Sequence, residues 1–244
     1  MHQHLVYLLL SLLLAASSSA FVLPPARRTY LASWNLPSLG GEVILSTKAE
    51  IEAAILGTDR GRSTSQSQKH QIHALISKLE SMCQLSEPAR DQRMDGPWVV
   101  LYTDAPPPSN GQLLVWKGIA KQVIDLQVGR YRNELYVGGK GEDEDQDAWL
   151  KAVLDARWEE WDGAYLDNSG DTAPGADFGA STWKVTFECL KISLFDVPLF
   201  TQQFKESSAR TWKMTYLDDN TRIVRAGKTG REDDDLLFYM RRGS

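Results

Sequence analysis

His70 and His73 stand three residues apart in QKHQIHALISKLE, a spacing that sets two imidazoles on one helix face and, with a third ligand, would hold a transition metal. No third ligand of matching type lies nearby in sequence. The pair is therefore expected at the solvent edge of an amphipathic helix. A second candidate is Glu142-Asp143-Glu144-Asp145-Gln146-Asp147, where three aspartates alternate as calcium ligands do. Ala148 stands where an EF-hand loop needs glycine and Leu154 where it needs a bidentate glutamate, so a solvated acidic loop is the better account. Arg231-Glu232-Asp233-Asp234-Asp235 reads the same way. The chain carries no nucleophile elbow, phosphate loop, dinucleotide fingerprint or zinc-spaced Cys/His set. Its four histidines, His2, His4, His70 and His73, all precede the β-rich half, which thus lacks the usual general base. No metal and no cofactor is expected.

The elements that must carry any site divide at about residue 90. From Lys48 to Glu80 the apolar period is helical: Ile51, Ala54 and Ile55 share one face, and Ile72, Leu75, Ile76 and Leu79 share another. Two helices are predicted, ending near Pro88, the first capped by Ser46 or Thr47 with Glu50 in a capping-box position. From Gly96 the period becomes two. Strands are predicted at Trp98–Thr103, Gly111–Lys117, Gln122–Val128, Tyr131–Val137, Leu150–Trp161, Thr182–Leu194, Arg210–Leu217, Arg222–Ala226 and Leu236–Arg241, separated by Pro, Gly, Asn and Asp clusters. Eight or nine strands in succession predict a mainly β fold, an up-and-down antiparallel β-barrel preceded by short helices. Seven of the eight tryptophans fall in this half. On one face of a closed sheet they either fill the interior or line a cavity for an apolar ligand.

The first residues read as a targeting segment. Leu5–Ala16 is uncharged and too short to span a bilayer, Ser18-Ser19-Ala20 supplies small residues, and the bond after Ala20 is the expected cleavage site of a signal peptide over residues 1–20. Residues 21–45 hold Arg27 and Arg28, several Ser and Thr, and no acid before Glu42, a composition that fits a transit segment and an ordinary disordered linker about equally. Lys+Arg 27 against Asp+Glu 32 gives a net charge of −5, which argues against a nucleic-acid partner. Cys83 and Cys189 cannot make a disulfide scaffold, and no Asn-x-Ser/Thr site occurs.

Three segments together resemble the plastid lipid-associated proteins, or fibrillins: AEIEAAIL with QIHALISKLE, MDGPWVVLYTDAP at Met94–Pro106, and ARTWKMTYLDDNTRIVRAGKTG with LLFYMRR. The resemblance implies a lipocalin-like barrel over residues 91–242, with the helical lead at 46–90. It implies binding or sheltering of apolar molecules such as carotenoids and prenylquinones, and association with thylakoids or plastoglobules, without catalysis. On this reading Gly96 permits a tight start to the first strand, Trp98 closes the barrel floor, and Arg241 or Arg242 stacks on it. Trp212, Met214 and Tyr216 are expected on one face of the next-to-last hairpin, with Asp218-Asp219-Asn220 as its turn. The ligand candidates are Tyr102, Trp183, Phe187, Trp212, Met214, Tyr216 and Asp218, and the structural ones Gly96, Trp98 and Arg241. The family's aspartate falls at Asp218 or Asp219, as an anchor at the barrel mouth or as a turn residue.

Within this family Ala20-Phe21 resembles the bipartite presequence of algae with complex plastids, with Phe21 as the admitting residue. Two alternatives remain open at this level: a barrel enzyme using Asp218 or Glu188, and an interaction module using residues 46–90.

Overall fold

The computed structural model describes residues 39–139, 147–161, 178–205, 208–228 and 236–243. Ala20, Phe21 and most of both acidic runs therefore lie outside the described residues.

Two helices come first, α1 (Leu39–Ile55) and α2 (Gln66–Glu80). The second begins as its sequence dictates. Ser65 Oγ accepts the Gln68 N–H at 3.3 Å and Gln68 Oε1 accepts the Ser65 N–H at 3.1 Å, a complete capping box. Its buried face is Ile72, Ile76 and Leu79. The first helix starts seven residues before the expected cap: Ser46 lies inside it, its Oγ donating to the Val43 carbonyl at 3.0 Å, and Thr47 is buried. Ile44 continues the helical face defined by Ile51 and Ile55 backwards past Ser46, and Glu42 in the first turn complements the helix dipole.

Ten strands follow among the described residues: β1 (Gly96–Thr103), β2 (Gln112–Leu113), β3 (Trp116–Asp125), β4 (Arg130–Val137), β5 (Leu150–Glu160), β6 (Thr182–Leu194), β7 (Val197–Gln203), β8 (Ala209–Leu217), β9 (Thr221–Lys228) and β10 (Leu236–Arg242). Eight of them form an antiparallel ring in the order β1-β10-β9-β8-β6-β5-β4-β3, closed by β3 pairing back onto β1 from Gly96↔Ile124 to Val99↔Lys121. Closure removes the free edges that a long twisted sheet would otherwise expose. The ring is barrel-like rather than a strict barrel, because β6 divides its partners. Thr182–Thr186 pair with β8, and Cys189–Leu194 pair with β7, outside the ring.

Two expected boundaries move. The segments Gly111–Lys117 and Gln122–Val128 become the two-residue β2 and one continuous β3, because Gly118 to Lys121 stay extended opposite β4 and the chain turns at Leu126–Gly129. Strand β7 was not anticipated. VPLFTQQ contains Pro198, shows no alternation and is exposed throughout, so only the overhanging end of β6 makes it a strand.

Two apolar layers share the sheet. Inside the ring lie Trp98, Val100, Trp183, Val185, Trp212, Met214, Val224, Phe238 and Met240. Outside it, beneath the helices, Tyr102, Tyr216, Ile223, Leu237 and Tyr239 pack against Ile51, Ile72, Ile76 and Leu79. Alternation along a strand assigns residues to these layers until a bulge intervenes. Register slips between Val100 and Tyr102 on β1 and between Met214 and Tyr216 on β8. Each extra residue turns the next side chain to the opposite face. Tyr102 and Tyr216 thus stand under the helices, while Val100 and Met214 face the interior.

Candidate functional site

Inside the ring is a cavity of about 480 Å³, within the usual range for small-molecule sites. Its walls are mostly apolar: Ala152, Leu154, Phe187 and Leu190 from β5 and β6 face Val100 and Phe238 from β1 and β10. Pro106–Ser109, Phe204 and Leu236 border it toward the end of the ring where β1 stops and β10 starts. At the inner side Trp212 stacks on Phe238, with ring centroids 5.3 Å apart, and leans on Tyr131 at 5.1 Å. Long antiparallel strands with large side chains at one end and alanines at Ala120, Ala152 and Ala226 leave this space unfilled.

Of the seven ligand candidates, the structure brings Phe187 and Trp212 to the cavity wall. Trp183 and Met214 belong to the interior but lie in its packed part, where Trp183 stacks on Trp158 at 4.1 Å. Tyr102, Tyr216 and Asp218 are on the outside. Trp212, Met214 and Tyr216 therefore do not share a face, and the bulge at Thr215 is the reason.

Asp218 sits at the turn end of β8, remote from Arg210 and Gly227, which border the cavity. Its Oδ1 accepts the N–H groups of Asn220 (3.0 Å) and Thr221 (2.9 Å), its Oδ2 accepts the Tyr216 hydroxyl (2.7 Å), and Lys48 of α1 forms an ion pair with it. Burial alone would raise this carboxyl; Lys48, Tyr216 and the turn amide outweigh burial, and its pKa is lowered. Asp218 is a turn residue that also ties the first helix to the sheet.

The structure places the structural candidates Gly96, Trp98 and Arg241 at the start of β1 and the end of β10. Gly96 has φ +93°, a conformation that favours glycine, and a Cβ there would meet Arg242 Nη2 at 3.4 Å. Arg242, not Arg241, lies over the Trp98 ring, 4.9 Å from its centroid, and its Nη1 donates to the Arg93 carbonyl at 2.8 Å. Arg241 is exposed because the period of two turns it away from Trp98. Trp98 is fully buried and donates from Nε1 to the Met94 carbonyl at 3.0 Å.

The remaining sequence candidates resolve as packing or charge pairs. His73 is half-buried rather than at the solvent edge, with Nε2 3.3 Å from Asp104 Oδ2, and Lys69 Nζ is 3.3 Å from the same oxygen. Asp104 Oδ1 also accepts the Leu237 N–H at 2.8 Å. Burial pushes the Asp104 carboxyl up, but His73, Leu237 and Lys69 together bring it below its usual range. His70 is exposed, and no three His, Cys, Asp or Glu side chains converge among the described residues. Glu188 pairs with Arg130 (2.5 Å) and Arg157 (3.3 Å), partly in solvent. Neither carboxylate of the enzyme alternative lines the cavity. Cys83 and Cys189 are free thiols. A second hollow, of about 460 Å³ by the β3–β4 turn, is lined by Asp95, Asp125 and Asp155 with Arg130 and Arg132.

Sequence reasoning missed a buried polar layer beside the inner wall. Arg222 is fully buried and donates from Nη1 to Gln122 Oε1 at 3.2 Å, while the Tyr131 hydroxyl donates to Asn133 Oδ1. In TRIVRA both faces of the strand carry an arginine, so alternation alone gave no sign of which one turns inward.

No curated protein matches the chain. The PAP_fibrillin family model matches residues 46–139, which span most of α1, all of α2 and β1 to β4. Over this segment, the helical lead and the first strands of the ring, the chain is similar to the PAP/fibrillin family.

Proposed function

We propose that this protein is a noncatalytic binder of apolar plastid lipids, of the carotenoid and prenylquinone kind, held in the cavity of its β-ring. The observation that carries the reading is the cavity itself. It has about 480 Å³ of space with predominantly aliphatic and aromatic walls, in a fold whose candidate carboxylates are engaged in ion pairs elsewhere. Burying a polyisoprenoid surface there gains roughly 25 cal/mol per Å² removed from water, without any directed bond.

The same reading extends to the thylakoid or plastoglobule surface. Two hairpin tips converge on Trp149, whose ring contacts Trp116 at 5.4 Å and whose carbonyl accepts the Phe195 N–H at 2.7 Å. They present Leu114, Val115, Phe195 and Val197 to solvent, with Val115 75% and Phe195 70% exposed. Apolar side chains so placed suit insertion among lipid acyl chains at the ring end toward which the cavity opens. Delivery to that surface fits cleavage after Ala20 and admission to a complex plastid through Phe21.

Purified full-length protein titrated with β-carotene and with a prenylquinone tests the reading through quenching of tryptophan fluorescence. Saturable quenching by one of them is expected. Failure with both, and with lipid droplets, overturns it.

A further inference from the structure

Strand β7 has one edge on β6 and an outer edge that no strand among the described residues covers. All seven of its residues are exposed, with Val197, Leu199 and Phe200 at 61%, 48% and 47%. The Phe204 N–H donates to the Glu188 carbonyl at 2.8 Å, which makes Phe204 and Glu188 a hydrogen-bonded pair of the antiparallel ladder. Alternation from that pair aims the N–H and C=O groups of Thr201 and Gln203 away from β6, toward the uncovered side.

An exposed, uncharged edge is a template for another strand, and chains normally blunt it with a charge, a proline or a bulge. Here Pro198 and the bulge at Leu199 blunt only the first half. From Phe200 to Gln203 the strand carries no charge, no proline and no bulge. The residues that flank it select the partner: Asp196 precedes the strand and the exposed Lys205 follows it. A second copy running antiparallel brings each sign to the end where the first copy has the opposite one. Parallel pairing would set Asp196 against Asp196 and Lys205 against Lys205, which is unfavourable.

We propose that the outer edge of β7 is a self-association site, where a second copy of this chain adds its own β7 antiparallel about a two-fold axis at Thr201. The two Thr201 residues exchange their outward N–H···O=C bonds, and Gln203 falls opposite Leu199 of the other copy. Lys205 then lies opposite Val197, one residue from the Asp196 it complements. Such a contact is the same patch on both copies, so it closes as a dimer and does not propagate. A pairing this short buries less than about 1,200 Å², the size of a transient interface, and a Kd in the micromolar range follows. It is independent of the lipid cavity.

Sedimentation velocity of the full-length protein between about 1 and 100 μM tests this. A monomer–dimer equilibrium is expected for the wild-type protein. Thr201→Lys and Thr201→Glu each set like charges side by side at the axis, and each is expected to raise Kd at least about fivefold with the Tm unchanged. Mixed in equal amounts, the two variants are expected to pair again, because opposite charges then face each other. A wild-type protein that stays monomeric over this range overturns the inference, as does one that forms only oligomers larger than a dimer. Undiminished dimerisation of either variant, or a mixture that associates no better than each variant alone, overturns it as well.

Discussion

Arg225 of β9 and Glu80 at the end of α2 form a two-pronged ion pair, Nε to Oε1 and Nη2 to Oε2, both at 2.8 Å. The same carboxylate accepts the Thr215 hydroxyl at 2.6 Å, so the residue that bulges out of β8 is held by the helix covering it. The pair joins the helical lead to the outer face of the ring, where Tyr102, Tyr216 and Tyr239 are packed.

Glu80→Gln removes the charge from this contact while keeping its shape. Both side chains are largely buried, so the loss is expected near the range for hydrogen bonds to charged groups, about 1.5–3 kcal/mol. Urea unfolding at pH 7 measures it. An unchanged midpoint would show that the helices are held by apolar packing alone.

Asp104 and Asp218 make the attachment of the helices acid-sensitive. Both carboxyls have folded pKa values below their unfolded ones. Their contribution is fully present above the unfolded aspartate value of about 3.9 and is lost as pH falls through the lower folded values. The Tm is therefore expected to drop as the pH falls below about 4, and Asp218→Asn, less stable at pH 7, to show a smaller drop. An equal drop in both proteins would remove Asp218 from the account.

The two tyrosines once expected beside the ligand offer a direct contrast with the cavity wall. Tyr216→Phe removes the bond to Asp218 and is expected to cost about 1 kcal/mol without altering ligand affinity. Leu190→Trp, which fills the cavity from β6, is expected to weaken binding at least about tenfold, with overpacking costing about 1–3 kcal/mol. Fluorescence titration and thermal unfolding on the same samples separate the two effects.

Val115→Ser together with Phe195→Ser leaves both turns intact and removes the exposed apolar tips. The double variant is expected to keep its Tm and to float less with neutral lipid vesicles than the wild-type protein. Undiminished flotation would place lipid contact elsewhere on the surface.

Alternation made most of this fold legible. The ring strands, the two helices and the interior position of Trp98, Trp183 and Trp212 all follow from periods of two and 3.6. The errors cluster where the period breaks. A bulge adds one residue without altering composition, so nothing in VVLYT or WKMTY shows that Val100 and Met214 face inward while Tyr102 and Tyr216 face the helices. Strand β7 exists only because β6 overhangs its partner, a tertiary cause that leaves no local pattern. Arg222 was invisible for the opposite reason, since its strand alternates charge with apolar residues on both faces. The cavity depended on side-chain volumes across all eight strands of the ring, which a one-dimensional pattern does not contain.

The account stands on the ring cavity as the lipid site, and the most direct test is a prenylquinone titration of the wild-type protein beside Leu190→Trp and Tyr216→Phe. Saturable quenching of tryptophan fluorescence by the wild-type protein and Tyr216→Phe, with loss in Leu190→Trp, is the predicted result. Equal binding by all three, or by none, would contradict it.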